Sequence, residues 1–312
     1  MRMPTGAARL LAGAVAVLPA SSVLAACGAG ATRVSASSHG SQLQVVAAEN
    51  FWGSLATQLA GGRASVQSII ADPATDPHSY EPKAGDARTL ATARLVIVNG
   101  AGYDPWAPKL LAANPVSGRT VLTVGDRLGL KEGDNPHRWY DPASVETVAN
   151  TITADLTRLD PNDAGYFSQQ RARFETQALA EYHRLISTIK ARYAGVPVGA
   201  SESIFALLSP SLGLDLITPP SFMKSIGEGT EVTAQDTATT QRQLATGQAR
   251  VWIYNSQNAT PGIQRLNAIA RRRGIPIATI TETLSPPTAT FEAWQSAQLR
   301  GIEHALHQAT SR

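Results

Sequence analysis

The chain reads as an α/β protein of two lobes, each built from parallel-type βα units, joined by one long rigid helix with a cleft between the lobes. Three observations predict this. Apolar β-type runs alternate with helix-period segments from residue 43 onward, the pattern of parallel βαβ units. From about Asn162 to Tyr193 a helical period holds without a proline, with Phe167, Phe174, Ala178, Tyr182, Leu185, Ile189 and Tyr193 on one face. At 1.5 Å per residue this segment spans roughly 45 Å. The strand–helix alternation falls on both sides of it. Taken alone, the period fits either a long surface helix of a single domain or a strut between two lobes. With 312 residues, 43% hydrophobic and 16% charged, the chain is long enough to bury a core in each lobe.

The N-terminal stretch is set apart. Arg2 and Arg9 flank the start of an apolar run, Leu10 to Leu18, and Leu24-Ala25-Ala26-Cys27 follows. A charged segment, a short apolar segment and small residues before a cleavage point make residues 1–26 a signal peptide. The run is too short for a membrane span. Cys27 is the single cysteine, and its setting resembles the lipobox of bacterial lipoproteins, which implies lipidation at Cys27 and anchorage to a membrane. Residues 27–42 then read as a flexible, lipidated tether, and the mature chain carries no disulfide. Removing the leader's two arginines leaves 25 basic side chains against 24 acidic, so the isoelectric point of about 9.1 is no sign of nucleic-acid binding. No basic run with interleaved aromatics exists to support one.

The first lobe spans 43–143. Leu43 to Ala48 is an apolar strand, with Asn50 read as the N-cap of a helix that ends at Gly61-Gly62. A strand, Val66 to Ile70, runs into the loop Ala71 to Pro82, stiffened by prolines and carrying His78. Helix 84–92, strand 95–98, helix 106–113 and strand 120–124 follow, leading to a polar loop with Pro136-His137-Arg138-Trp139-Tyr140-Asp141-Pro142. Residues 144–194 hold the helical segment. The second lobe, 195–312, has strands near 197–200, 214–217, 251–254 and 275–280. Its helices fall near 233–246, 261–272 and 291–307, and Arg271-Arg272-Arg273 complements a helix C-terminus.

Parallel sheets place ligands beyond the carboxyl ends of their strands. His78 and His137 lie there in the first lobe, each followed by an aromatic and an acid–proline pair. Glu202, in Ser201-Glu202-Ser203-Ile204-Phe205, and Glu282, in Thr281-Glu282-Thr283, lie there in the second. Two imidazoles and two carboxylates form a four-ligand N/O metal set if they converge, which spacing alone does not establish.

These pieces in this order resemble the zinc/manganese solute-binding lipoproteins of bacterial metal ABC transporters. The likeness rests on Asp76-Pro-His-Ser-Tyr-Glu-Pro82, His137-Arg-Trp-Tyr-Asp-Pro142, Ser201-Glu-Ser-Ile-Phe205 and the segment around Glu282, and covers about 43 to 308. It implies an extracytoplasmic, lipid-anchored, monomeric receptor for Zn2+ or Mn2+ as transported ligand, and no enzyme. It implies His78 and His137 as ligands of the first lobe, Glu202 as the third and Glu282 as the fourth, where the family usually has aspartate. Its partners would be a permease and an ATPase. The His-rich acidic loop of many zinc-specific members is absent between Val124 and His137.

Two rival functions share parts of the pattern. A metal-dependent hydrolase needs a position left for water and a base, but no His-Glu-x-x-His appears. Ser221-Phe-Met-Lys224 stands without the accompanying motifs of Ser-x-x-Lys enzymes. A receptor for an organic ligand or metal chelate would line its cleft with aromatics such as Trp52, Tyr80, Tyr103, Trp106 and Trp139. His304 and His307 read as surface residues at a helix end, and His183 and His39 carry no assigned role.

Overall fold

Alternation of short apolar strands with helices gives two parallel sheets in the computed structural model, which describes residues 42–311; the leader, Cys27 and His39 lie outside the described residues. The first sheet holds β1 (Leu43–Glu49), β2 (Ala64–Ile70), β3 (Leu95–Val98) and β4 (Thr120–Thr123). Between and after them come α1 (Asn50–Ala60), α2 (Ala84–Thr92), α3 (Trp106–Ala113) and α4 (Val124–Arg127). Then follow α5 (Pro142–Leu159), α6 (Ala164–Arg173) and α7 (Ala180–Tyr193). The second sheet holds β5 (Pro197–Ala200), β6 (Asp215–Leu216), β7 (Val251–Asn255) and β8 (Ile277–Ile280). Its helices are α8 (Ile204–Leu212), α9 (Pro220–Gly227), α10 (Ala234–Ala245), α11 (Pro261–Arg273) and α12 (Phe291–Thr310).

The strand orders, β2-β1-β3-β4 and β6-β5-β7-β8, are the same arrangement repeated, and every pair is parallel. In each sheet the chain reverses direction of travel beside its first strand, β1 or β5, and loops from the neighbouring strands meet at that switch point. Both faces of the first sheet are covered. Val45 and Ala47 join the main core with Phe51, Trp52 and Trp139, while Val46 and Ala48 pack with Leu90, Val96 and Trp106 on the other side. Burial on both faces is why these strands read as continuous apolar runs.

The rod expected over 162–193 is present but is not a uniform α-helix. A π turn, Phe174–Ala178, separates α6 from α7, and Leu179 N–H donates to Phe174 O at 2.9 Å. That bond spans five residues and lets Leu179, rather than Ala178, bury beside Tyr182 and Leu185. The five-residue step from Phe174 to Leu179 is the sequence trace of the bulge. Asn50 is also corrected: Glu49 occupies the N-cap position. The Asn50 amide instead accepts from Leu284 N–H at 3.2 Å and donates to Ala71 O at 3.4 Å. The short helices α8 and α9 lie in stretches the sequence left unassigned, and the strand read over 120–124 ends at Thr123 because Val124 opens α4.

Candidate metal centre

His78 sits in a single 3-10 turn after β2. Asp76 caps that turn by accepting from His78 N–H at 2.9 Å, Pro77 opens it with its fixed φ, and Ser79 Oγ–H adds a bond to Asp76 at 2.9 Å. His137 precedes a second 3-10 turn, Arg138–Tyr140, whose Trp139 and Tyr140 are buried. The Tyr140 hydroxyl lies 2.7 Å from Thr281 O, which fixes the His137 turn against the strand end that carries Glu282. Glu282 itself is placed by Gln257, whose Oε1 accepts from Glu282 N–H at 2.7 Å and Thr283 N–H at 3.0 Å.

Three of the four sequence candidates converge. Glu282 Oε1 stands 3.6 Å from His78 Nε2 and 3.4 Å from His137 Nε2. One ligand atom from each of the three lies within 4.8 Å of the others. The side chain of His137 is 4% exposed, that of Glu282 15% and that of His78 29%, so the site opens to solvent on the His78 side. Glu202 lies outside this triangle but near enough for its charge to act on His78 and to be acted on by Glu282. It is buried, and Asn255 Nδ2–H donates to its Oε2 at 3.0 Å while Oε1 has no partner. His78 Nε2 and Glu282 Oε1 are also buried atoms without a hydrogen bond. Orphaned nitrogen and oxygen lone pairs aimed at one point suit a cation that takes imidazole and carboxylate.

The tautomer of His137 is set. Its Nδ1 lies 2.8 Å from Asn135 Oδ1, which only accepts, so Nδ1 carries the proton and Nε2 presents a lone pair inward. Asn135 Nδ2–H meanwhile donates to Ser203 O at 2.6 Å, beside Glu202. The charge states follow from burial and neighbours. Burial lowers the basicity of His137, against the pull of Glu282. Burial also opposes charge on His78, but Glu282 outweighs it and raises the imidazole above its usual value. Burial would raise Glu282, yet the two imidazoles hold it well below the carboxylate range. Glu202 is pushed up to about 8 by burial and then by the charge of Glu282.

A crevice of about 480 Å³ runs from His78 and His137 past Asn135, Ala206, Met223 and Lys224 to the surface. The aromatics expected to line an organic pocket are largely core instead. Trp52, Tyr103 and Trp139 are buried, with Trp139 stacked on Phe51 at 3.8 Å between ring centroids. Lys224 donates to Gly133 O at 3.2 Å and pairs with Glu228 at 3.6 Å, so Ser221 and Lys224 form no nucleophile–base pair. His304 and His307 are exposed and bond within their own helix end, to Gln308 and Ser311. His183, left without a partner by the sequence, lies 3.8 Å from Glu175. Sequence reasoning missed Asn135, Asn255 and Gln257, and the trace available for each was an amide one to three residues from a strand end or a candidate ligand.

The family described as zinc-uptake complex component A, periplasmic, matches residues 45–305. Among curated relatives, the manganese-binding lipoprotein MntA of Halalkalibacterium halodurans is 28% identical over 200 residues, 62% of this chain and 66% of that protein. The manganese ABC transporter substrate-binding lipoprotein PsaA of Streptococcus pneumoniae is 24% identical over 240 residues, 71% of this chain and 74% of that one. In fold, a manganese-bound periplasmic metal-binding protein of candidatus liberibacter asiaticus superposes with a TM-score of 0.70 at 19% identity, covering 85% of this chain and all of the other. With the family matched over most of its length, this chain belongs to the periplasmic zinc-uptake component A family of metal-binding receptors.

Proposed function

We propose that the protein is the extracytoplasmic receptor of a metal ABC importer and captures one divalent transition-metal ion, zinc or manganese, in the crevice between its lobes. The observation that carries the reading is the convergence of His78, His137 and Glu282 on one point, with His78 Nε2 and Glu282 Oε1 buried and lacking hydrogen bonds. Glu202 is the fourth ligand in this reading. Its unpartnered Oε1 is the oxygen it offers, while Oε2 stays on Asn255. Two imidazoles and two carboxylates satisfy zinc at four-coordination, and a bidentate carboxylate extends the set toward what manganese takes. The lobes are residues 43–143 and 195–312 with the helical segment 144–194 between them. Cys27 carries the lipid anchor, residues 27–42 are the tether, and the ion passes to a membrane permease driven by an ATPase. The receptor works as a monomer and performs no catalysis.

Elemental analysis after dialysis against equal zinc and manganese tests the site, with His78→Ala and Glu202→Ala alongside. One equivalent of metal in the parent and none in either variant is the expected result. Metal retained by both variants would sink the four-ligand reading.

A further inference from the structure

Glu49 is a fully buried carboxyl group beside the centre that the proposed site does not use. It ends β1, the strand at the switch point of the first sheet. It has no solvent exposure, neither of its oxygens has a well-formed hydrogen bond, and its own backbone N–H is the weakest of the influences on its charge. Its polar neighbour is another acid, Asp104, within hydrogen-bonding reach, and the charge facing it beyond that is Glu282. Asp104 is the opposite case. Its Oδ2 accepts from Asn99 N–H at 2.8 Å and its Oδ1 from Gly100 N–H at 2.7 Å. A carboxylate bonded on both oxygens is stable as an anion, whereas a buried one without donors is not. Burial raises Asp104 too, to about 6, but its backbone donors favour its anion, so a proton shared by the pair belongs on Glu49.

What this pair grips is a strained turn. Gly100, Ala101 and Gly102 all have positive φ, at 74°, 52° and 80°, and Ala101 is the single non-glycine residue in that region among the described residues. Such a turn persists only where its surroundings fix it. Ala101 and Gly102 line the crevice. The next residue, Tyr103, packs its ring edge-on against His78 at 4.7 Å and His137 at 5.7 Å between centroids. At the other end of the turn, Asn99 Nδ2–H donates to Pro136 O at 3.1 Å, and Asn99 Oδ1 accepts from Trp52 Nε1–H at 2.9 Å.

We propose that Glu49 is a positioning residue: as a neutral acid it donates a hydrogen bond to Asp104, and this bond pins the turn that sets Tyr103 against both imidazoles and Asn99 against the His137 loop. The inference rests on the metal-receptor reading for its consequence, but the proton on Glu49 does not. Glutamine at 49 can give the same bond through its amide N–H, and alanine cannot.

The experiment compares the full-length parent, Glu49→Gln and Glu49→Ala by zinc titration and, with Glu202→Gln added to all three to remove that group's proton, by infrared difference spectroscopy of the protonated-carboxyl C=O band. The parent is expected to show that band and Glu49→Gln to lack it. Glu49→Gln should keep the parent's zinc affinity within about threefold, and Glu49→Ala should lose about 10–100-fold, as supporting groups around metal ligands typically do. Absence of the band in the parent, parent-like binding by Glu49→Ala, or equal weakening in both variants would overturn the proposal. Should Glu49→Ala fail to fold, Glu49→Gln decides by itself: affinity kept with the band gone supports the bond, and affinity lost refutes it. If the parent binds no zinc, the receptor reading fails, while the band still settles whether Glu49 carries the proton.

Discussion

The two sheets have one topology and put a buried glutamate in the same place, yet the two side chains have opposite partners. Glu49 ends β1 and Glu202 follows β5, the first strand of each sheet. Across from Glu202, at the end of β7, stands the amide of Asn255; across from Glu49, in the loop after β3, stands the carboxyl of Asp104. An amide donates to one carboxylate oxygen and leaves the other available to a cation. A carboxylate gives nothing to a second acid except a place for its proton. In the proposed site, one topology would thus supply a ligand on one side and an internal brace on the other, with the partner's hydrogen-bonding sense deciding which. The same division runs through the centre: the first sheet's loops bring imidazoles and the second's bring carboxylates.

The sharpest break of this division is Glu282→Ala. It removes the oxygen shared by both imidazoles, so isothermal titration should show metal affinity falling by more than the roughly 100-fold upper range for supporting residues. Retained affinity would mean that the ion sits elsewhere. Next, Asn255→Leu deletes the donor to Glu202 and is expected to cost about 10–100-fold in affinity. Asn255→Asp is more informative because it recreates the Glu49–Asp104 arrangement in the second half. A second acid beside Glu202 strengthens its hold on a proton, so the affinity of this variant should recover toward the parent's only at higher pH.

A milder effect separates the halves without metal. Burial raises both Glu49 and Glu202 above the ordinary carboxylate value, Glu202 to about 8. An acid raised by folding contributes stability below its unfolded value, and that contribution is lost as pH rises through the folded one. The melting temperature of the metal-free protein should therefore fall between about pH 4.5 and pH 8 on account of Glu202. Glu202→Gln should flatten that slope, and an unchanged slope would place the titration on another group. In the same window metal affinity should rise with pH, since the ion displaces the Glu202 proton. The smallest expected effect is none: His304→Ala with His307→Ala should leave metal stoichiometry at that of the parent, and a lost equivalent would reveal a second site at the end of α12.

Much of the arrangement was legible because parallel sheets write themselves strongly. β3, Leu-Val-Ile-Val, and β7, Val-Trp-Ile-Tyr-Asn, are buried on both faces and show as apolar runs. Proline-framed His78 and His137 stood out for the same local reason. Strand order was not legible, because pairing β1 with β3 is a matter of crossover and not of local pattern. Glu49 passed unremarked since an acid just before a helix is ordinary, and the acid that acts on it, Asp104, is fifty-five positions away. The π turn escaped because Ala178 fits the helical period as well as Leu179 does until tertiary packing chooses between them. Glu202 shows the remaining limit: its residue type and strand end could be read, but not that the ligand cluster would hold His78, His137 and Glu282 without it.

Asn135 joins two events that are usually thought of separately. Its Oδ1 orients the His137 ring, and its Nδ2–H ties the same loop to Ser203 across the crevice. Parting the two loops enough to break the Ser203 bond releases the amide that holds the imidazole in register. In the proposed receptor, a pull that separated these loops would therefore also lower the cost of releasing the ion, and a bound ion would resist that pull by the same amount.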